Sequence, residues 1–212
     1  ITGTATPVAP VATEATNIRC ETFTANWESV ADATAYTLYV NGEEKYTGTE
    51  TSFDLSGLTA NTQYAYYVTA NVGEYVTEPS NTIEVNTLKT PVINIEGKTE
   101  IVTIVNETAT LTFNVSSENA IDDIAIALTD ESGFFSIDKN AITESGNITL
   151  TFAPATVGKF TATLKLTTDM AEEKTVSIDA TANPQTPVAT EATNIRCETF
   201  TANWEAMEGA TF

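Results

Sequence analysis

The chain contains no histidine. Imidazole is the commonest acid/base group near neutral pH and a frequent zinc ligand. Its absence removes His-based metal sites together with Ser-His-Asp and Cys-His nucleophilic machinery. Cysteine is scarce as well, with only Cys20 and Cys197 present. One per repeat excludes an intradomain bridge, and two thiolates cannot build a tetrahedral metal cluster. A partly buried free thiol is the expected state. Basic residues number 9 against 29 acidic ones, for a net charge of −20. The deficit is even: 11 acids against 2 bases over residues 12–88, 14 against 6 over 89–182, and 4 against 1 over 183–212. Such a surface is a poor partner for nucleic acid, whose phosphates require cations. Its expected effects are solubility and repulsion between neighbouring units. No run reaches the roughly 20 apolar residues of a membrane span, so direct membrane insertion is not expected. No cationic leader precedes an apolar stretch, and a secretion signal is expected, if anywhere, upstream of Ile1. Long helical windows with apolar residues at i, i+3, i+4 and i+7 are also missing.

What the chain does have is threonine, 41 in all, often alternating with Val, Ile, Phe or Leu. Threonine is stiff at χ1 and sits well on a pleated surface, so the pattern predicts strands throughout. From residue 11 to 88 the inward sets are Phe23, Ala25 and Trp27, then Tyr36, Leu38 and Val40, then Phe53 and Leu55. Tyr64, Tyr66, Val68 and Ala70 follow, and Ile83 with Val85 closes the unit. A short edge strand is expected over 15–19, and Asn41-Gly42 is the strongest hairpin signal. Seven short strands with turns every 8–12 residues read as a sandwich. Between 91 and 182 the same style recurs in Ile93 and Ile95, 101–105, Leu111 to Val115, Ile124 to Leu128, 134–137, 148–152, Phe160 to Leu166 and Val176 to Ala180. The expected fold class is all-β, with tandem Ig-like β-sandwiches.

One stretch is written twice. Residues 10–28 and 187–205 are the same nineteen residues, PVATEATNIRCETFTANWE, offset by 177. That period is too long for a solenoid unit and matches one large or two small domains. Four segments are therefore expected. Residues 1–6 read as the last strand of a preceding Ig-like domain, 11–88 as a complete sandwich, 91–182 as a second, and 187–212 as the truncated start of the next repeat. Residues 187–205 duplicate a native strand pair and carry Phe200 and Trp204 with no internal core to enter. If ordered, they are expected either to exchange strands with another chain or with residues 1–6, or to lie on a neighbouring molecule without strand pairing.

Residues 12–88 resemble a fibronectin type III domain. The likeness rests on Trp27 in the second strand, Tyr36 in the third, Leu58 six residues before Tyr64, the string LTANTQYAYYVTAN, and Glu78-Pro79-Ser80-Asn81 at the final turn. The phrase ATNIRCETFTANWE is similar to versions found in surface and secreted proteins of Bacteroidetes. The resemblance implies that Trp27, Tyr36, Leu58 and Tyr64 form the structural core. No Arg-Gly-Asp tripeptide is present, so integrin binding is not implied. Residues 91–182 resemble Ig-like ASH and choice-of-anchor-D-type domains through Phe152-Ala153-Pro154 and Gly158-Lys159-Phe160, while the ending Asp179-Ala180-Thr181 departs from the Gly-Thr-Ala of those families.

Candidate sites are few. Tyr39 and Tyr67 point outward on neighbouring strands and are expected to pair, either for cross-strand stability or as a stacking surface for a sugar or peptide. Asp122, Asp123, Asp130 and Glu131 flank one strand and could offer oxygens to calcium. No EF-hand-like loop accompanies them, and solvated turn acids are the simpler expectation. Asn106, Asn114 and Asn147 head N-glycosylation triplets. No pair of carboxylates is placed across a cleft, so an enzyme is not expected, and no cofactor is implied. The function expected is a non-catalytic structural repeat of a large bacterial cell-surface or secreted protein, a stalk or adhesin spacer outside the cell. Its partners would be neighbouring domains of the same array. The alternatives are a glycan- or protein-binding module and an accessory spacer of a secreted multidomain enzyme.

Overall fold

The computed structural model describes residues 7–207, and the reading of 1–6 as a strand lies outside them. Two compact units divide between Thr90 and Pro91. Among the described residues, the regular elements of both are strands.

The first unit contains β1 (Ala12–Thr16), β2 (Phe23–Trp27), β3 (Ala33–Val40), β4 (Glu43–Gly48), β5 (Ser52–Leu55), β6 (Gln63–Val72), β7 (Tyr75–Val76) and β8 (Ile83–Asn86). One sheet has the order β1-β2-β5, and the other β4-β3-β6, with β7 and β8 following each other along the far edge of β6. The inward alternation is as expected. Phe23, Ala25, Trp27, Tyr36, Leu38, Val40, Leu55, Tyr66, Val68, Ala70 and Val85 form one buried cluster, with Phe53, Leu58, Tyr64 and Ile83 packed against it. At Asn41-Gly42 both residues have positive φ, 51° and 81°, and Val40 pairs with Glu43. This is the primed turn whose twist suits a two-residue hairpin. The first strand lies earlier than expected, at Ala12–Thr16 rather than 15–19, because Asn17 takes a left-handed φ of 50° and ends it.

Along the edge of β6 the ladder is interrupted at Pro79, which has no N–H to donate. Side chains substitute there. Thr77 Oγ1 accepts from Ala70 N at 2.9 Å, and Ser80 Oγ accepts from Val68 N at 3.0 Å. Asn81 then spans to the other sheet, accepting from Ala12 N and donating to Ala12 O, both at 3.0 Å. It fastens the outer strand of the β1–β2 hairpin. Asn81→Ala is expected to destabilise the first unit by about 1–2 kcal/mol through two lost, partly buried bonds. Hydrogen exchange at the Ala12 amide, accelerated in the variant while Leu38 stays protected, checks this.

The second unit contains β9 (Val92–Gly97), β10 (Glu100–Ile104), β11 (Ala109–Glu118), β12 (Ile124–Asp130), β13 (Phe135–Ile137), β14 (Ala141–Ile142), β15 (Ser145–Phe152), β16 (Gly158–Thr167) and β17 (Lys174–Asn183). Its sheets run β10-β17-β16-β12-β14 and β13-β15-β11-β9. The core gathers Phe113, Val115, Ile124, Ile148, Leu150, Phe152, Leu164, Leu166 and Ile178. All pairings are antiparallel except β10 with β17, where Glu100 to Ile104 run alongside Asp179 to Asn183. Two further strands, β18 (Ala189–Thr193) and β19 (Thr201–Trp204), form a two-stranded sheet and, among the described residues, pair only with each other.

Candidate functional site

The outward face of the β4-β3-β6 sheet carries the tyrosine pair. Tyr39 and Tyr67 are directly opposed in the β3–β6 register. Their rings stack at 5.0 Å between centroids with planes 13° apart. Adjacent strands are about 4.8 Å apart, so near-parallel rings at this separation lie against each other across the strand gap. Each ring thereby covers one face of its neighbour, an arrangement that stabilises the sheet. Beside them Thr37 and Thr69 are buried for surface-facing residues, and Thr37 shares a hydrogen bond with Thr47 at 3.1 Å. Tyr75 and Val76, at the tip of the β6–β7 hairpin, are the exposed apolar groups of this sheet, at 62% and 67%.

The four acids proposed for calcium do not converge. Asp123 precedes β12 and Asp130 ends it, so the two pairs stand roughly 20 Å apart at about 3.3 Å per residue. Asp123 Oδ1 accepts from Thr143 Oγ1 at 2.7 Å. Asp130 organises its own turn: Oδ1 accepts from Ser132 N (2.8 Å) and Ser132 Oγ (2.6 Å), and Oδ2 from Phe135 N (2.9 Å). Glu131 is exposed in the same turn. Among the described residues no three His, Cys, Asp or Glu side chains are grouped to hold a metal ion. Partial burial opposes the charge on Asp130, but the donors from Ser132, Phe135 and Gly133 outweigh it and hold the carboxyl below its usual range. A depressed folded-state pKa contributes stability above the unfolded value and loses it as pH falls through the folded one. Asp130→Asn is therefore expected to cost about 1–2 kcal/mol at neutral pH. The difference from the parent should shrink as pH drops below the ordinary carboxylate range, which urea midpoints across pH measure.

Of the glycosylation triplets, Asn114 and Asn147 face each other across β11 and β15 on an exposed face, with Asn114 Nδ2 donating to Asn147 Oδ1 at 3.1 Å. Asn106 lies in a turn with φ of 67°. Neither cysteine is joined in a disulfide; Cys20 is buried and Cys197 exposed.

The residues expected to be structural come together. Trp27 tilts against Tyr36 at 6.0 Å and Tyr46 at 6.3 Å. Tyr64 Oη accepts from Thr59 N at 2.8 Å, tying the connection after Leu58 back onto β6, and its ring meets Phe23 at 6.2 Å. A tyrosine bonded in this way to backbone just upstream is the corner of sandwich domains. The family model described as "Fibronectin type III domain" matches residues 8–86. The first unit is a fibronectin type III-like domain.

An Ig-like β-sandwich follows it. Among solved structures, the chain is similar to the type III domain of human fibronectin type III domain containing protein 3 at 22% identity (42% of this chain, 92% of that one, TM-score 0.36). It is also similar to the immunoglobulin domains 1–5 of Sidekick-1 at 12% identity (90% and 42%, TM-score 0.42). Chicken CNTN1 FN1-FN3 domains are likewise similar at 12% (94% and 76%, TM-score 0.35). No curated protein sequence matches the chain.

Within the type III-like unit, one role escaped sequence reasoning. The Tyr66 side chain, fully buried, reaches across the core to donate to Thr13 O and accepts from Asn26 N at 3.3 Å. Burial pushes its phenol up, partly offset by the bond to Asn26. Alternation placed the ring inward but carries no information on what its hydroxyl meets.

Proposed function

We propose that the chain is a non-catalytic structural repeat segment of a large bacterial cell-surface or secreted protein, with residues 187–212 beginning a further type III unit. The observation that carries this reading is the nineteen-residue identity between 10–28 and 187–205, at an offset that spans both sandwiches. A scaffold unit copied without change in its first hairpin is useful for length, since sequence-specific recognition gains nothing from an unaltered core pair. The even acidic surface suits units held in series outside the cell. Its partners are then the neighbouring domains of the array. The family likenesses to Bacteroidetes surface proteins and to ASH-type domains belong to the same proposal. Brief trypsin treatment of intact cells producing the parent protein tests location. The account expects loss of these two units from the cell pellet and their recovery in the medium, with a cytoplasmic marker untouched. Protection in intact cells and digestion only after lysis would overturn it.

A second reading, a protein-binding module, is favoured by the outward face of β3 and β6. There the Tyr39–Tyr67 pair adjoins buried threonines, on the sheet whose β6–β7 tip exposes Tyr75 and Val76. Chemical-shift changes confined to these residues on adding a cell-surface extract would support it.

A further inference from the structure

The nineteen unchanged residues include more than a core requires. On either side of them the copies differ. Val8 and Ala9 stand against Gln185 and Thr186, and Ser29, Val30, Ala31 and Asp32 against Ala206, Met207, Glu208 and Gly209. Inside the stretch even the exposed positions Glu14, Asn17 and Glu21 recur. Burial accounts for Phe23, Ala25 and Trp27, and a left-handed φ of 50° accounts for Asn17. Neither accounts for Arg19. Its turn is held by backbone groups: Arg19 N donates to Thr22 O at 2.8 Å, and Leu88 N donates to Arg19 O at 3.0 Å. Those bonds ask nothing of the side chain. Yet Arg19 and Arg196 are the only arginines in the chain, and every other base is lysine.

In the first sandwich Arg19 lines a pocket of about 330 Å³, together with Asn17, Thr22 and Thr24 of the hairpin and Asp54 and Ser56 at the end of β5. Small-molecule sites begin at roughly this size. Thr24 Oγ1 donates to Asp54 Oδ1 at 2.6 Å and accepts from Asn17 Nδ2 at 3.1 Å. The relay covers Thr24, leaving it 8% exposed on an outward face, and fixes the carboxylate and the carboxamide. It engages one oxygen of Asp54 and the nitrogen of Asn17, so Asp54 Oδ2 and Asn17 Oδ1 remain to accept. Thr22 and Ser56 add hydroxyls. Arg19 makes contacts within the protein, and a guanidinium with five N–H donors can hold a carboxylate beside them. Lysine would supply a point charge there in place of two parallel bonds. A carboxylate fork next to fixed acceptors and hydroxyls suits a ligand that carries one carboxylate and several hydroxyls. The net charge of −20 repels a polyanion at longer range.

We propose that this pocket binds an acidic sugar unit, its carboxylate on Arg19 and its ring hydroxyls on Asp54, Asn17, Thr22 and Ser56. The site lies wholly in the first sandwich, so it stands or falls separately from the array reading. Where the array holds, each copy of the hairpin carries the same four pocket residues, and weak sites in series gain by avidity. That gives the unchanged outer face a use that length alone does not.

The test titrates the isotope-labelled full chain, followed by amide NMR, with three probes. These are methyl glucuronide, the uncharged methyl glucoside, and an acetylated dipeptide with a free C-terminal carboxylate. The glucuronide should shift the amides of Asn17, Arg19, Thr22, Thr24, Asp54 and Ser56 saturably, with the other two binding weaker by about tenfold or more. Arg19→Lys keeps the charge, loses the fork and should weaken the glucuronide by about tenfold. Ser56→Asp changes an exposed residue after β5, adds a second carboxylate to the pocket and should abolish saturable binding. Unshifted Leu38 and Val68 amides report an intact core in each variant, and if Arg19→Lys loses them, Ser56→Asp decides. Absence of saturable shifts with the glucuronide, or equal binding of the glucoside, overturns the proposal. So does a dipeptide that binds more tightly than the sugar, or full wild-type affinity in Ser56→Asp or in folded Arg19→Lys.

Discussion

Replacing Trp27 with alanine lowers the stability of the first sandwich by about 3–5 kcal/mol, the range for removing a core aromatic. Trp27 is 4% exposed, sits between the rings of Tyr36 and Tyr46, and closes the β1–β2 pair opposite Ala12. The loss is large against a total of about 5–15 kcal/mol for a domain. Its indole nitrogen is buried and makes no hydrogen bond, so the contribution is apolar volume and ring contact. Trp27→Phe should accordingly cost well under half as much. Urea titrations followed at the Tyr66 amide by NMR measure both changes. Equal costs for Phe and Ala would show that the indole nitrogen matters more than the ring.

The second sandwich has its counterpart in Phe152. That side chain is fully buried, stacks on Phe135 at 4.7 Å and 28°, and tilts against Phe160 at 5.7 Å. Phe135 and Phe152 are directly paired across β13 and β15, so the contact joins strand pairing to core filling. Phe152→Ala is expected to cost about 3–5 kcal/mol. Amide resonances in β15 and β16 should disappear at lower urea than in the parent. A midpoint unchanged from the parent would remove Phe152 from the centre of the core.

Why so much of this was legible follows from period-two alternation. On a strand with one buried face, side chains alternate between core and solvent, so Phe23-x-Ala25-x-Trp27 and Tyr36-x-Leu38-x-Val40 identify their faces directly. Asn41-Gly42 identifies its turn because few residues tolerate two successive positive φ values. The features that escaped depend on partners far along the chain. Nothing in Glu100 to Ile104 shows that its neighbour is β17, or that the pair runs parallel. The sequence points to β1 three residues too late because ATEAT buries only Ala12 and so shows no alternation. The hydroxyls of Thr77 and Ser80 stand in for a ladder broken at Pro79, a role set by the opposite strand rather than by local pattern. The calcium candidates failed for a related reason: two acidic pairs close in sequence are held apart by the extended strand between them.

The Leu58 to Tyr64 spacing and the repeated hairpin are legible directly because each is a string rather than a pattern. Leu58 and Tyr64 have a fixed spacing, and the structure closes it with the Thr59 N to Tyr64 Oη bond. The hairpin identity shows which residues recur, while the structure adds that the second copy holds the same register with its aromatic face uncovered.

We propose that the chain covers one period of a structural array. Peptide mapping of the intact parent protein, isolated from its native source, tests it most directly. The account predicts that the hairpin sequence of residues 10–28 recurs at spacings of about 177 residues. Each recurrence should be followed by a body carrying counterparts of Tyr36, Leu38, Leu58 and Tyr64. A parent in which the second hairpin is followed by sequence without those counterparts would contradict it.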